Sequence, residues 1–247
     1  MERKYIGRIL LNRDVEKGSY LRSLPAVKYL MKNRQLVFDR DVTFLVGENG
    51  TGKSTLLEAI AVAYGFNAEG GSRNFNFSTN NTHSELYKHL TVSKSKIPRD
   101  GFFLRAESFY NVATNIDEMD EAPGFSGPII DSYGGLSLHR QSHGESFLAL
   151  VQNRFGGNGL YILDEPEAAL SPSRLLTLLV EIDRLVKHES QLIIATHSPI
   201  VMAYPGAAIY QLDENGIESV SYRETEHYQL TKRFLENPEK MLKYLLE

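Results

Sequence analysis

Apolar residues along the chain keep changing their spacing, and the changes mark out its elements. Tyr5 to Leu11 is an apolar run that reads as a strand, followed by a polar stretch carrying Pro25 with no element assigned. Leu36-Val37-Phe38 and Val42-Thr43-Phe44-Leu45-Val46 are β-branched and aromatic and predict two further strands. Gly47 to Gly52 holds three glycines in six residues and must be loop. From Lys53 to Tyr64 the residues Leu56, Leu57, Ile60 and Ala61 recur at helical spacing. The order is therefore strand, glycine loop, helix. Gly65 to Asn81, rich in Gly, Asn, Ser and Phe, reads as irregular, and Ser84 to Lys96 as polar and basic.

Gly101 to Ala106 predicts another strand and Ser108 to Met119 a short helix. Ala122 to Gly135, with Pro123, Gly124, Gly127 and Pro128, predicts a loop; Leu138 to Phe155 predicts a helix through Phe147, Leu148 and Val151. The last third is regular. Leu160 to Leu163 and Gln191 to Ala195 are short apolar strands around an amphipathic helix from Ser173 to Lys187, with Leu175, Leu176, Leu179 and Ile182 on its apolar face. Strands at Ala208 to Leu212 and Ile217 to Tyr222 flank the turn Asp213-Glu214-Asn215-Gly216, and two short helices split at Pro238 close the chain. Apolar strands alternating with amphipathic helices predict an α/β fold, a mainly parallel sheet covered on both faces.

Composition narrows the options. The 247 residues suit one domain, taken as 1–247. With 42% hydrophobic and 23% charged residues the chain is not of the disordered class. The 27 Lys+Arg against 31 Asp+Glu give a net charge of −4, so contact with nucleic acid or an anionic membrane would need a local patch. Lys88, His89, Lys94, Lys96 and Arg99 are such a cluster, most simply a solvated face. There is no cysteine, which excludes disulfides, thiolate metal sites and Cys nucleophiles. Charges interrupt Met1 to Arg8 before any signal-type apolar run, and no run approaches the roughly 18 apolar residues of a membrane helix; a cytoplasmic protein is expected.

The chemistry concentrates in the glycine loop. Gly47-Glu48-Asn49-Gly50-Thr51-Gly52-Lys53-Ser54-Thr55 fits G-x-x-x-x-G-K-[ST] and lies between a strand and a helix, the context that pattern requires. Glycines let backbone N–H groups converge on phosphate oxygens, and the helix N-terminus adds partial positive charge. Lys53 should reach the β- and γ-phosphates and Ser54 should ligate Mg²⁺. The strand Leu160 to Leu163 runs into Asp164-Glu165, which places one acid to hold the Mg²⁺ shell and the next to polarise an attacking water. Gln141-Ser142-His143-Gly144-Glu145-Ser146 precedes this strand, and His197 follows the next one. Ser142/His143 with Asp164/His197 also invite a Ser-His-Asp hydrolase reading, but no G-x-S-x-G elbow supports it.

Loop, Ser-x-Gly segment, acidic pair and strand-end histidine, in that order, resemble the ABC-type ATPases. More narrowly, they resemble small stand-alone predicted ATPases of the ABC/AAA-like group. The likeness covers most of the chain and is weakest from Gly65 to Gly135. Relative to the family's LSGGQ signature, Ser142 and Gly144 are kept while His143 and Glu145 depart. The resemblance implies a P-loop NTPase core at about 1–64, 100–110 and 156–247, with a small antiparallel portion. It implies a helical signature lobe at about 65–99 and 111–155. It also implies ATP sandwiched by a homodimer, with Ser142 and Gly144 of one copy capping the γ-phosphate held by the other. His197 takes the place of the switch histidine, and Glu107 stands where the family has the Q-loop Gln, open to Mg²⁺ or the lytic water or to a plain helix-start role. Ser171 replaces the usual D-loop Asp. Asn12, Arg13 and Tyr20 are candidates for adenine. The implied function is a cytoplasmic ATPase driving an unknown soluble effector or nucleic acid. The alternatives are the nucleotide-binding subunit of a transporter, with a membrane permease as partner, and an ATP-gated interaction module with little turnover.

Overall fold

The computed structural model describes residues 4–72, 84–105, 109, 113–114, 116–117, 120, 129–135, 137–140 and 142–246. Its strands are β1 (Ile6–Leu11), β2 (Gln35–Val37), β3 (Val42–Gly47), β4 (Leu90–Lys94), β5 (Asp100–Arg105), β6 (Gly159–Asp164), β7 (Gln191–Ala195), β8 (Ala208–Asp213) and β9 (Gly216–Ser219). Its helices are α1 (Pro25–Asn33), α2 (Lys53–Tyr64), α3 (His143–Arg154), α4 (Pro172–Lys187), α5 (Pro199–Met202), α6 (Glu226–Glu236) and α7 (Pro238–Leu246). A six-stranded sheet has the order β5-β6-β7-β3-β8-β9, parallel except for β9. A three-stranded antiparallel sheet has the order β2-β1-β4.

Side chains of the parallel strands divide between two cores, as the period of two requires. Phe44, Phe102, Leu104, Tyr161, Leu163 and Ile194 pack with α3 and α4. Leu45, Phe103, Leu160, Ile162 and Ile193 pack with α1, α2 and the antiparallel sheet. Both faces are thus apolar, which is why these strands read as continuous hydrophobic runs. Complete burial of a side chain such as Phe44 or Ile193 contributes about 1.5–3 kcal/mol.

Several elements differ from the sequence reading. The stretch around Pro25 is not irregular: α1 starts there with Pro at its first turn, buries Ala26, Val27 and Leu30, and ends at Arg34 in the left-handed conformation (φ 65°). The polar, basic 84–96 segment contains β4, whose Leu90 is buried and which pairs with β1, drawing part of the 65–99 segment onto the core. The helix expected from Leu138 starts instead at His143, because Ser142 and Glu145 form a capping box there. On α4 the buried face is Leu175, Leu178, Ile182 and Leu185, while Leu176 is 57% exposed. Strand β9 ends at Ser219, ahead of a 3-10 turn over Tyr222–Glu224. Of the helix expected at 108–119, the described residues 109, 113–114 and 116–117 are helical.

Candidate functional site

Strand β3 ends at Gly47, with φ 141°. A Cβ there would lie 2.1 Å from the Leu212 carbonyl oxygen of β8, so only glycine lets the chain turn away at this point. Gly50 and Gly52 also take positive φ, 84° and 93°. The Thr51 hydroxyl donates to Glu48 O at 2.8 Å, and the Thr51 carbonyl accepts from the Ala26 N–H at 3.2 Å. The loop is thereby wound around the N-terminus of α2, with Glu48, Asn49 and Gly50 exposed at its tip and Thr55 half-buried in the first helical turn. Beside it lies a groove of about 520 Å³ between Glu48–Thr51 and Leu212–Asn215. Lys53 is buried, and its ammonium donates to Gly47 O (2.7 Å) and Glu48 O (2.9 Å). Burial holds its pKa below the usual lysine value, against the opposing pull of Glu165, Asp164, Glu167 and Glu48.

The acids come from β6. One strand, β7, separates β6 from β3, so the loop and the acids are not on neighbouring strands. The three ends still converge. The Glu165 N–H donates to Ala195 O (3.0 Å) and the Thr196 N–H to Leu45 O (3.1 Å). The Ser54 hydroxyl donates to Asp164 Oδ1 at 3.0 Å. Glu165 is left-handed (φ 51°, ψ 52°), a backbone state that costs a non-glycine residue on the order of 1 kcal/mol. Its Oε1 lies 3.4 Å from His197 Nε2. Hydroxyl and carboxylate oxygens are the donors Mg²⁺ prefers, and Mg²⁺ ordinarily takes few ligands from protein and the rest from phosphate and water. The Ser54–Asp164 pair fits that pattern.

Three further residues complete the site, and no local pattern marked them. Arg105 faces Asp164 across the β5–β6 register; its Nη1 lies 2.7 Å from Glu58 Oε2 and its Nε 3.6 Å from Asp164 Oδ2. Glu167 accepts from the His197 backbone N–H, and its Oε2 is buried without a hydrogen-bond partner among the described residues. His227, on α6, sets Nε2 3.0 Å from His197 Nδ1.

Other expected residues sit differently. Ser142 and Gly144 are engaged with their own helix and with α4. Glu145 accepts from the Ser142 N–H (3.0 Å) and hydroxyl (2.6 Å), and Arg174 reaches both Ser142 Oγ (3.3 Å) and Glu145 Oε1 (3.1 Å). A Cβ on Gly144 would meet Arg174 Nη1 at 2.5 Å and Ala169 O at 2.8 Å, so close packing alone accounts for glycine there. Ser171 caps α4. Glu107 lies outside the described residues. Of the adenine candidates, Asn12 is tied to Thr91, and Arg13 is exposed. Tyr20, 65% exposed, stands on the 3-10 turn leading to Leu24, whose side chain abuts Gly52. The basic cluster is dispersed: Lys88 pairs with Glu85, Lys94 sits over the Tyr64 ring, and Lys96 over the Tyr5 ring and beside Glu189. Among the described residues no helix is long and apolar enough to cross a membrane.

Sheet order, glycine loop and strand-end acids define the P-loop NTPase fold in its ABC-ATPase-like form. Comparisons with known proteins agree. One family model, described as an AAA domain, matches residues 21–112. A second, described as "AAA domain, putative AbiEii toxin, Type IV TA system", matches residues 136–203. The ribose import ATP-binding protein RbsA of Yersinia pestis is 29% identical over 180 residues, covering 65% of this chain and 34% of that protein. The chain thus spans about a third of the length of the curated relatives it matches. The structure of cbiO1 from Clostridium perfringens, part of the ABC transporter complex cbiONQ, superposes with a TM-score of 0.53 at 16% identity, covering 98% of this chain and 99% of that one.

Proposed function

We propose that the chain binds ATP with Mg²⁺ and hydrolyses it to ADP and phosphate. The observation that carries this reading is the convergence of Lys53, the Ser54–Asp164 pair and the Glu165–His197 pair at the C-terminal ends of β3, β6 and β7. The loop N–H groups of Gly47 to Ser54 cradle phosphate oxygens, and Lys53 exchanges its two carbonyl partners for the β- and γ-phosphates. Ser54 and Asp164 would hold Mg²⁺, which when bound neutralises phosphate charge; Glu107 is proposed as a further contact to it or to the lytic water. Glu165 orients a water and draws its proton as the oxygen attacks the γ-phosphorus and the bond to the bridging oxygen breaks. His197 donates to a γ-phosphate oxygen. Tyr20, on the turn against the loop, is the proposed adenine stacker.

The proposal extends to assembly in the cytoplasm, where ATP is supplied. ATP closes a homodimer in which Ser142 and Gly144 cap the γ-phosphate bound by the other copy, and the cycle drives a soluble effector or nucleic acid. Light scattering on Glu165→Gln tests it: with ATP and Mg²⁺ the molar mass should double, and an unchanged mass refutes the sandwich. Phosphate release by the wild type tests hydrolysis separately. Nucleotide binding without release in a single-turnover assay would make the chain an ATP-gated module instead.

The likeness to RbsA and to cbiO1 favours a second reading, the nucleotide-binding subunit of a transporter. Co-purification of ATP-locked Glu165→Gln with a membrane permease would select it over a soluble machine.

A further inference from the structure

His227 belongs to none of the sequence motifs, yet its ring lies against that of His197. It is the second residue of α6, whose N-cap is Thr225. The two ring centroids are 5.1 Å apart with planes at 61°, and His197 Nδ1 is 3.0 Å from His227 Nε2. On its other edge His197 presents Nε2 to the Glu165 carboxylate at 3.4 Å. A neutral imidazole has one N–H and one lone pair, whereas a carboxylate only accepts. The His197 proton therefore belongs on Nε2, and Nδ1 is left as an acceptor. The group facing Nδ1 must donate, and that group is the Nε2–H of His227. The other nitrogen of His227 agrees with this assignment. Its Nδ1 is buried without a hydrogen-bond partner among the described residues, where a bare lone pair is cheaper than an orphaned N–H. Burial, together with the nearby His197 and Lys53, also pushes His227 below the usual imidazole range and outweighs Glu48, a shift that favours the neutral ring.

We propose that His227 is a positioning residue: by donating to Nδ1 it fixes His197 as the Nε2–H tautomer, so that an N–H faces Glu165 and the phosphate site. The catalytic consequence rests on the hydrolase reading above; the tautomer assignment does not. It also gives α6 a direct hold on the site.

The test compares wild type, His227→Gln and His227→Leu. Gln retains an N–H donor near the position of Nε2, and Leu has none. Long-range ¹H–¹⁵N spectra of histidine-labelled protein should show His197 as a single Nε2–H form in the wild type and in the Gln variant, and averaged between tautomers in the Leu variant. Phosphate release should fall about tenfold in kcat for His227→Leu with KM for ATP within about twofold, and His227→Gln should return to within about threefold of wild type. A wild-type His197 protonated at Nδ1, or a Leu variant with unchanged spectrum, overturns the proposal. Equal kcat losses in Gln and Leu overturn it too, because they reduce His227 to a packing residue. A wild type that releases no phosphate refutes the hydrolase reading instead, and the spectra alone then decide the tautomer.

Discussion

Arg105 offers the sharpest test of how the acidic side of the site is held together. Its guanidinium lies between two buried carboxylates, 2.7 Å from Glu58 and 3.6 Å from Asp164, with the three side chains only 20%, 8% and 7% exposed. Arg105→Met keeps an unbranched apolar stem and removes the charge. Glu58 and Asp164 are then left without that cation. Removing one partner of a buried ion pair costs about 3–5 kcal/mol, and the partial exposure of Arg105 places this case near the lower end, at about 3 kcal/mol. Unfolding entropy of about 2.1 cal/mol/K per residue gives roughly 0.5 kcal/mol/K for a chain of this length. Each kcal/mol then shifts Tm by about 2 °C, so Arg105→Met should melt about 6 °C below wild type. Circular dichroism during heating at neutral pH reads this directly. Adding Glu58→Gln removes one of the stranded charges while its amide oxygen still accepts the Ser84 N–H (2.8 Å in the wild type), so the double variant should recover about half of the loss. A single variant melting within about 2 °C of wild type would refute the reasoning, because it would mean that the guanidinium does not compensate these carboxylates.

Other predictions address chemistry, recognition and the far end of the sheet. Glu165→Gln should lower kcat by about 10²-fold while ATP still binds, measured by phosphate release and by titration with a fluorescent nucleotide; retained turnover would remove Glu165 from its role. Tyr20→Ala should raise KM for ATP about tenfold with kcat unchanged, since stacking on a base contributes about 1–3 kcal/mol; an unchanged KM would send the adenine elsewhere. Asp100 is held below its ordinary 3.8: burial opposes ionisation, but the Gly156 N–H, the Tyr161 hydroxyl and Arg154 outweigh it. A depressed carboxylate adds stability above its unfolded-state pKa and loses it as pH falls through the folded one. Asp100→Asn should thus lower the urea midpoint at pH 7, by about 1–3 kcal/mol in stability, and the gap to wild type should close below about pH 4. A gap that stays constant with pH would refute this.

Several features escaped the sequence, one behind a weak local signal and the others because their causes are not local. Helix α1 was masked by its polar flanks, although Pro25 followed by Ala26, Val27 and Leu30 is a helix start with one apolar stripe. Strand β4 is short and edged with lysines, and only its register with β1 makes it a strand. The Ser142–Gly144 segment reads from the sequence as a phosphate cap or a plain helix start, and only the positions of Arg174 and Ala169 supply a packing reason for Gly144.

The sequence alone determined the glycine loop, the helix behind it, the acids at the end of β6 and the α/β pattern around them. Those features follow from backbone freedom, hydrophobic period and a helix N-terminus, each decided within a short stretch of chain. The tertiary structure decided which groups share the site. Ser54 meets Asp164 across 110 residues, Arg105 meets Glu58 across 47, and His197 meets His227 across 30. Such pairings depend on the strand order β5-β6-β7-β3 and on where α6 returns to the sheet. Both are set by how two apolar faces are covered, a property of the whole chain that no local pattern carries.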